Sequence, residues 1–327
     1  MDLELLQERA RIIRSVRRFF DERNYLETDT PVLAPNLIPE SCLEVFETMY
    51  LPPTETKTRK KRTYFLAPSP EIWMKRLIAD HRVDMYQIGK CFRNGESVGR
   101  LHSPEFTMLE YYTIGADYEE SLDITEAFFA AILPSTVRKS LSPPFLRLTV
   151  EDAFSEFAGF SLFSAVEKGR LEMEARSLGL DPPPNMGTAA LYDLIFVHTV
   201  EPNLPRDKPV ALMDYPSFVP CLAKKSADGL TAERWELYVR GIELANCYSE
   251  ETDPEKVRSF FEAEAAVKAE RALTPHAVDM DYWKVFSTRQ KEYPRCSGVA
   301  MGMDRLIMSV TGRSSIDSVL PFPMRRF

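Results

Sequence analysis

Glu236-Leu-Tyr-Val-Arg-Gly-Ile-Glu243-Leu-Ala-Asn246-Cys-Tyr248-Ser-Glu250 sets three carboxylates and one amide into an otherwise apolar run. Such a run reads as buried strand, and on a strand alternate side chains share a face. By simple alternation Glu236 and Glu243 fall on opposite faces. A bulge or turn at Gly241 swaps the alternation and lets them converge. Carboxylates on an apolar strand are costly to desolvate unless they meet cations or a metal, so the run is read as a site that holds positive charge. A solvated edge strand is the competing reading.

The rest of the chain fits an ordinary globular protein. Its 327 residues are 44% hydrophobic and 28% charged, enough to bury a large core in one or two domains. No apolar run approaches the length of a membrane span and no signal-peptide pattern opens the chain, so a soluble, cytoplasmic protein is expected. The five cysteines, Cys42, Cys91, Cys221, Cys247 and Cys296, show no CxxC or Cys/His spacing, which argues against zinc and fits a reducing compartment. A net charge of −8 disfavours extensive non-specific nucleic-acid binding. The one basic run, Lys57 to Arg62, reads as a solvated hairpin loop or as a docking surface for an acidic partner.

Residues 2–24 carry a helical apolar stripe through Leu6, Ala10, Ile13, Val16 and Phe20. A short strand is expected at 30–33, then a hairpin from 43–51 and 63–67. A helix is expected over 72–79, and two strands over 85–92 and 106–113 joined by a charged loop. Residues 117–133 and most of 149–200 read as helix, the latter without an interpretable motif. Strands follow at 210–214 and 235–248, a Glu/Ala-rich helix at 254–271, and a final strand and helix at 297–311. This order predicts an α+β fold, an antiparallel sheet flanked by helices in one continuous domain over 1–327.

Three segments carry chemistry. Phe92-Arg93-Asn94 opens the charged loop, and His102-Ser103-Pro104-Glu105-Phe106 through Glu110-Tyr111-Tyr112 closes it. Far downstream, Gly298-Val-Ala300-Met-Gly302-Met-Asp304-Arg305-Leu306 sets glycines beside an arginine at a strand-to-helix turn, where backbone approaches a ligand closely. Two arginines from distant segments, with paired glutamates able to hold Mg²⁺, form a candidate triphosphate clamp.

On these residues the chain resembles the class II aminoacyl-tRNA synthetases of subclass b, and most closely the lysyl-tRNA synthetase catalytic domain. The helix ending in Glu27-Thr-Asp-Thr-Pro31 looks like motif 1, Phe92 to Tyr112 like motif 2, and Gly298 to Leu306 like motif 3. The resemblance covers almost the whole chain. The motif 1 helix begins at the first residues, so no anticodon-binding OB-fold domain is expected. In this the chain is similar to the free-standing lysyl-tRNA synthetase-like lysyltransferases, which charge a lysine side chain of elongation factor P in place of tRNA.

The resemblance implies that ATP and Mg²⁺ are used and that an amino-acid carboxylate attacks the α-phosphate. It places ATP on Arg93, Asn94, Glu96, His102, Ser103, Phe106, Glu243, Leu244, Gly302 and Arg305. Arg93 would neutralise charge on the α-phosphate, Arg305 and His102 would hold the γ-phosphate, and Phe106 and Arg305 would sandwich adenine. Glu236 and Glu243 would hold Mg²⁺. A lysine substrate brings a distal ammonium, and Glu71, Glu110 and Glu250 are the acids to receive it, with Ser69, Tyr112, Asn246 and Tyr248 around them. Ala300 replaces the glycine usual in lysyl-tRNA synthetases, and its methyl favours the shifted amino group of (R)-β-lysine. Gly95 displaces Glu96 by one residue from the usual Arg-Asn-Glu, and Ser103 replaces a common asparagine; both bear on ATP affinity. Motif 1 implies a homodimer. A catalytically silent paralogue that binds or senses, and an activator with a different acceptor, are the competing readings.

Overall fold

The apolar stripe at the N-terminus forms a helix over Leu3–Asp21, and its buried side is Ile12, Val16, Phe19 and Phe20. This is one position off the expected Leu6-Ala10-Ile13 line, because the helix docks edge-on against aromatic residues of a sheet. Phe20 stacks on Tyr86 with centroids 4.7 Å apart and meets Tyr111 at 5.0 Å. The computed structural model describes residues 3–51, 62–287 and 292–324, so Lys57 to Lys61 of the basic run lie outside the described residues. The chain divides into two compact units, one of residues 1–116 with 251–327 and one of residues 117–250.

In the first unit, strands Met85–Phe92 and Glu105–Ile114 pair antiparallel, and Cys296–Gly302 joins Glu105–Ile114 antiparallel on its other side. Leu26–Glu27 adds to Met85–Phe92 in parallel. The strand expected at 30–33 is reduced to Leu33–Ala34. It belongs to a separate three-stranded sheet with Phe46–Tyr50 and Arg62–Leu66. Pro31 lacks the donor that a continuous strand needs there. Helices Glu71–His81, Pro254–Arg271 and Met303–Val310 complete the unit.

Cross-strand register decides what each face of this sheet carries. Glu110 stands opposite Gln87 and Ala300, Met108 opposite Gly89 and Gly302, and Tyr112 opposite Met85 and Gly298. One face therefore holds Phe106, Met108, Glu110 and Tyr112 among Gly89, Gly298, Ala300 and Gly302, small residues that leave it shallow. The opposite face, through Tyr86 and Tyr111, is the one the N-terminal helix covers.

In the second unit, Val210–Pro216, Thr231–Val239 and Ile242–Ser249 form an antiparallel array, and Leu146–Thr149 pairs in parallel with Val210–Pro216. The expected antiparallel α+β arrangement is present in both units, each with one parallel pair at its outer edge. The helix Tyr118–Ile132 starts from an Asp117–Glu120 capping box. The helical stretch after Thr149 packs Phe154, Leu171, Tyr192, Ile195 and Phe196 with Val210, Leu212, Tyr215 and Tyr238. Residues 150–204 are thus the lid of this unit's core, which explains their lack of a chemical motif.

Candidate active site

The run that opened the sequence reading is a hairpin. Arg240 and Gly241, at φ 57° and 72°, form its two-residue turn, and Val239 pairs with Ile242. Left-handed φ at both positions matches the right-handed twist of the flanking strands. The turn sets Glu243 opposite Tyr238, so Glu243 and Glu236 share a face. A second device lies one residue further on. The register shifts between Glu243 and Ala245, after which Asn246 stands opposite Glu236 and Tyr248 opposite Arg234. Leu244 is the extra residue of a β-bulge. Were Leu244 paired in the ladder, Asn246, Tyr248 and Glu250 would turn to the face opposite Glu243; with Leu244 bulged, all four lie on one face.

Glu236 shares its strand face with Glu243 and is engaged by protein partners. One of its oxygens accepts from the Tyr215 hydroxyl at 2.6 Å and from Tyr238 at 2.8 Å, and the other is ion-paired with Arg234. Burial, and then the charge of Glu236, push the Tyr215 and Tyr238 hydroxyls far up, so both stay protonated donors. The Arg234 guanidinium also lies 4.3 Å from the Tyr215 ring and 5.4 Å from Tyr248. A Mg²⁺ here would share this carboxylate with an arginine and two hydroxyls. Among the described residues no cluster of three acidic, histidine or cysteine side chains forms a metal cage. Arg234, Tyr215 and Tyr238 were passed over in the sequence, although opposite charges two residues apart on one strand face, Arg234 and Glu236, are a readable signal.

On the first unit, Arg93 follows the Met85–Phe92 strand, and its backbone N–H donates to Pro104 O at 2.9 Å, closing the base of the motif 2 loop. Its guanidinium lies 5.3 Å from the Phe106 ring. Among the described residues no acceptor bonds that guanidinium, and its Nε is buried. Asn94 is a tether: its N–H donates to Glu44 O at 2.9 Å and its amide to Val45 O at 3.2 Å. The inserted Gly95 takes φ 73° and donates to Asn94 Oδ1 at 2.9 Å, a turn that a side chain would strain.

Arg305, at the start of the Met303–Val310 helix, donates from Nε to Leu101 O at 3.1 Å. Burial, and then the Arg305 charge, push His102 below the usual histidine range; Arg93 adds to this and Glu96 opposes it. His102 therefore has Arg93, Glu96 and Arg305 around it. Ser103 is partly exposed in the same loop. Arg305 is held from behind: Arg9 of the N-terminal helix meets Asp304 at 2.7 Å, and the Thr107 N–H donates to Asp304 at 2.8 Å.

Of the expected ammonium acceptors, Glu110 is buried and accepts from Tyr112 at 2.7 Å, directly opposite Ala300. Glu71 pairs at 2.5 Å with Lys75, which is 2% exposed, and its N–H donates to Ser69 Oγ at 3.3 Å. Glu71 is therefore first the counter-ion of a buried lysine. The site residues fall into two groups. Ser69, Glu71, Arg93, Asn94, Glu96, His102, Ser103, Phe106, Glu110, Tyr112, Ala300, Gly302 and Arg305 belong to the first unit. Glu236, Glu243, Leu244, Asn246, Tyr248 and Glu250 belong to the second.

This fold and these motif residues define a class II synthetase, and comparison agrees: the family described as tRNA synthetases class II (D, K and N) matches residues 3–326, and the chain belongs to it. Within that family the chain is similar to the elongation factor P–(R)-β-lysine ligase of Vibrio cholerae. The two are 36% identical over 324 residues, which cover 98% of this chain and 95% of that one. The proteins of the same name from Proteus mirabilis and Pasteurella multocida are 35% and 34% identical, each over 98% of this chain and 95% of the relative. No helix among the described residues is long and apolar enough to cross a membrane.

Proposed function

We propose that this chain is an ATP-dependent ligase that activates lysine or (R)-β-lysine as an aminoacyl-adenylate and passes it to a lysine side chain of elongation factor P. The observation that carries the reading is the Arg93 guanidinium, held over Phe106 without an acceptor among the described residues and beside His102. An arginine kept unpaired at the base of such a loop is set to receive an anion, and charge develops on the α-phosphate only as the reaction proceeds. The relatives' printed name supplies the acceptor and the amino acid.

The carboxylate oxygen of the amino acid attacks the α-phosphorus, and the bond to pyrophosphate breaks. The acceptor amine then attacks the acyl carbon and AMP leaves. Arg93 binds the α-phosphate, while Arg305 and neutral His102 bind the far end of the triphosphate. Asn94 and Glu96 border adenine, which lies on Phe106, and Gly302 keeps that surface low. Glu110, paired with Tyr112 and partnered across the strand by Ala300, receives the amino acid together with Ser69; the resemblance assigns Asn246, Tyr248 and Glu250 to the same substrate. Mg²⁺ would screen the phosphate charge. Glu243, with Glu236 on the same strand face, would hold it, the Arg234 ion pair competing for Glu236. Positioning and electrostatics suffice, without general acid–base catalysis.

The single family match across residues 3–326 supports treating both units as one catalytic domain. The net charge of −8 weighs against tRNA as acceptor. The motif 1 helix supports a homodimer, and the reading places the enzyme in the cytoplasm. The test is amino-acid-dependent ATP–pyrophosphate exchange with lysine, (R)-β-lysine and aspartate, followed by the intact mass of elongation factor P. Exchange with a lysine isomer and a mass increase on the factor are expected. Exchange with none of the three would leave the silent paralogue as the answer, and exchange without a mass increase would point to another acceptor.

A further inference from the structure

The side of the N-terminal helix that carries Ile12, Val16 and Phe19 into the core also carries Arg9, three residues before Ile12. The Arg9 side chain is 12% exposed and reaches three partners. Its Nη1 meets the Asp304 carboxylate at 2.7 Å and lies 3.4 Å from Val319 O, and its Nη2 donates to Thr107 Oγ1 at 3.3 Å. Asp304 accepts the Thr107 N–H on its other carboxylate oxygen at 2.8 Å. The adjoining Glu8 pairs with Arg313 at 3.2 Å, just past the end of the Met303–Val310 helix. Glu8 and Arg9 thus grip that helix near both of its ends.

Burying a guanidinium with a carboxylate adds little net stability over apolar packing of the same volume. What the pair adds here is direction. Asp304 is followed directly by Arg305, and Thr107 directly follows Phe106. Arg9 therefore ties the strand that presents Phe106 to the helical turn that presents Arg305. Arg305 in turn donates from Nε to Leu101 O, in the loop that precedes Phe106. Without the Arg9 cation, Asp304 is a buried charge that its turn relieves only by moving, and Arg305 moves with it.

We infer that Arg9 is a positioning residue for the triphosphate: acting through Asp304 it fixes Arg305, without touching the nucleotide itself. The inference rests on the proposed function, which puts the γ-phosphate at Arg305 and the α-phosphate and adenine at Arg93 and Phe106. A displaced Arg305 loses the far end of the triphosphate and leaves the adenylate half of the site in place. The loss is therefore selective for ATP over an adenylate, whereas a general loosening of the fold weakens both.

The test is equilibrium binding by isothermal titration calorimetry to wild type, R9M and R9K, with melting temperatures measured alongside. The two ligands are ATP with Mg²⁺ and lysyl-sulfamoyl adenosine, an analogue of the adenylate that lacks the β- and γ-phosphates. R9M should raise Kd for ATP about 10- to 100-fold and leave Kd for the analogue unchanged. R9K restores the charge without the planar fork that spans Asp304 and Thr107, and should fall between wild type and R9M for ATP. An unaltered Kd for ATP in R9M overturns the inference, and so does an equal loss for both ligands, which would place the effect at Phe106. Should R9M not fold, R9K decides alone: a loss confined to ATP upholds the inference, and any other result overturns it. Wild type that fails to bind the analogue removes the proposed function instead.

Discussion

Replacing Arg234 with methionine asks whether Glu236 belongs to an internal ion pair or to a metal site. In the folded chain the Arg234 side chain is 14% exposed and the Glu236 side chain 11%. R234M keeps the two tyrosine hydroxyls on Glu236 and removes its cation. Breaking a buried pair from one side costs about 3–5 kcal/mol, because the remaining charge stays desolvated. At about 2 °C per kcal/mol for a chain of this size, the melting temperature should drop by roughly 6–10 °C. E236Q should cost a similar amount by stranding Arg234. The double variant R234M/E236Q buries no charge and should regain at least about 2 kcal/mol relative to the sum of the singles. Thermal unfolding followed by circular dichroism reads all three, and the Mg²⁺ dependence of exchange is measured alongside. If E236Q melts with wild type and shifts the Mg²⁺ requirement, Glu236 is a metal ligand and this assignment is wrong. Strict additivity in the double variant would be equally damaging.

R93A should lower amino-acid-dependent exchange about 10²- to 10³-fold, the size of a lost transition-state donor, without altering the fold by circular dichroism; activity within a factor of ten of wild type would exclude the phosphate role. Inserting one alanine between Ala245 and Asn246 advances the strand by one position and turns Asn246, Tyr248 and Glu250 to the other face, so exchange should vanish while the hairpin and its far-UV signal persist; retained activity would mean that the shared face is irrelevant. His276 gives a pH signature. Burial, and then the Lys268 charge, lower its pKa from 6.5 to about 4, and one ring nitrogen lies 3.3 Å from Ile38 O. The unfolded chain binds this proton more readily, so the contribution is whole above pH 6.5 and is lost as pH falls toward about 4. H276Q, which does not titrate, should flatten the difference in melting temperature between pH 7 and pH 4.5; an unchanged difference would refute it.

What could be read from residues alone was local. The helix over 254–271, the strands read at 85–92 and 106–113, and the strand-to-helix turn at Gly302 follow from periodicity and breakers, which act within a few residues. The motif residues Arg93, His102, Phe106 and Arg305 were legible for a similar reason. Each sits at a strand end or loop whose spacing is set by its own segment, and His102 does have Arg93 and Arg305 around it. The Gly241 turn was visible too, and with it the possibility that Glu236 and Glu243 share a face.

Two features needed the folded chain. The bulge at Leu244 has no sequence mark, because an extra residue in one strand is recognised only against its partner's register. The fate of Glu236 turned on Tyr215, 21 residues away, and on a helical lid that removes water from the pair. Composition and period state which groups a chain carries and which face of its own element each will take. Whether a carboxylate ends as a counter-ion, a ligand or an unmet charge depends on desolvation and on partners from other elements, and those exist only once the elements have packed.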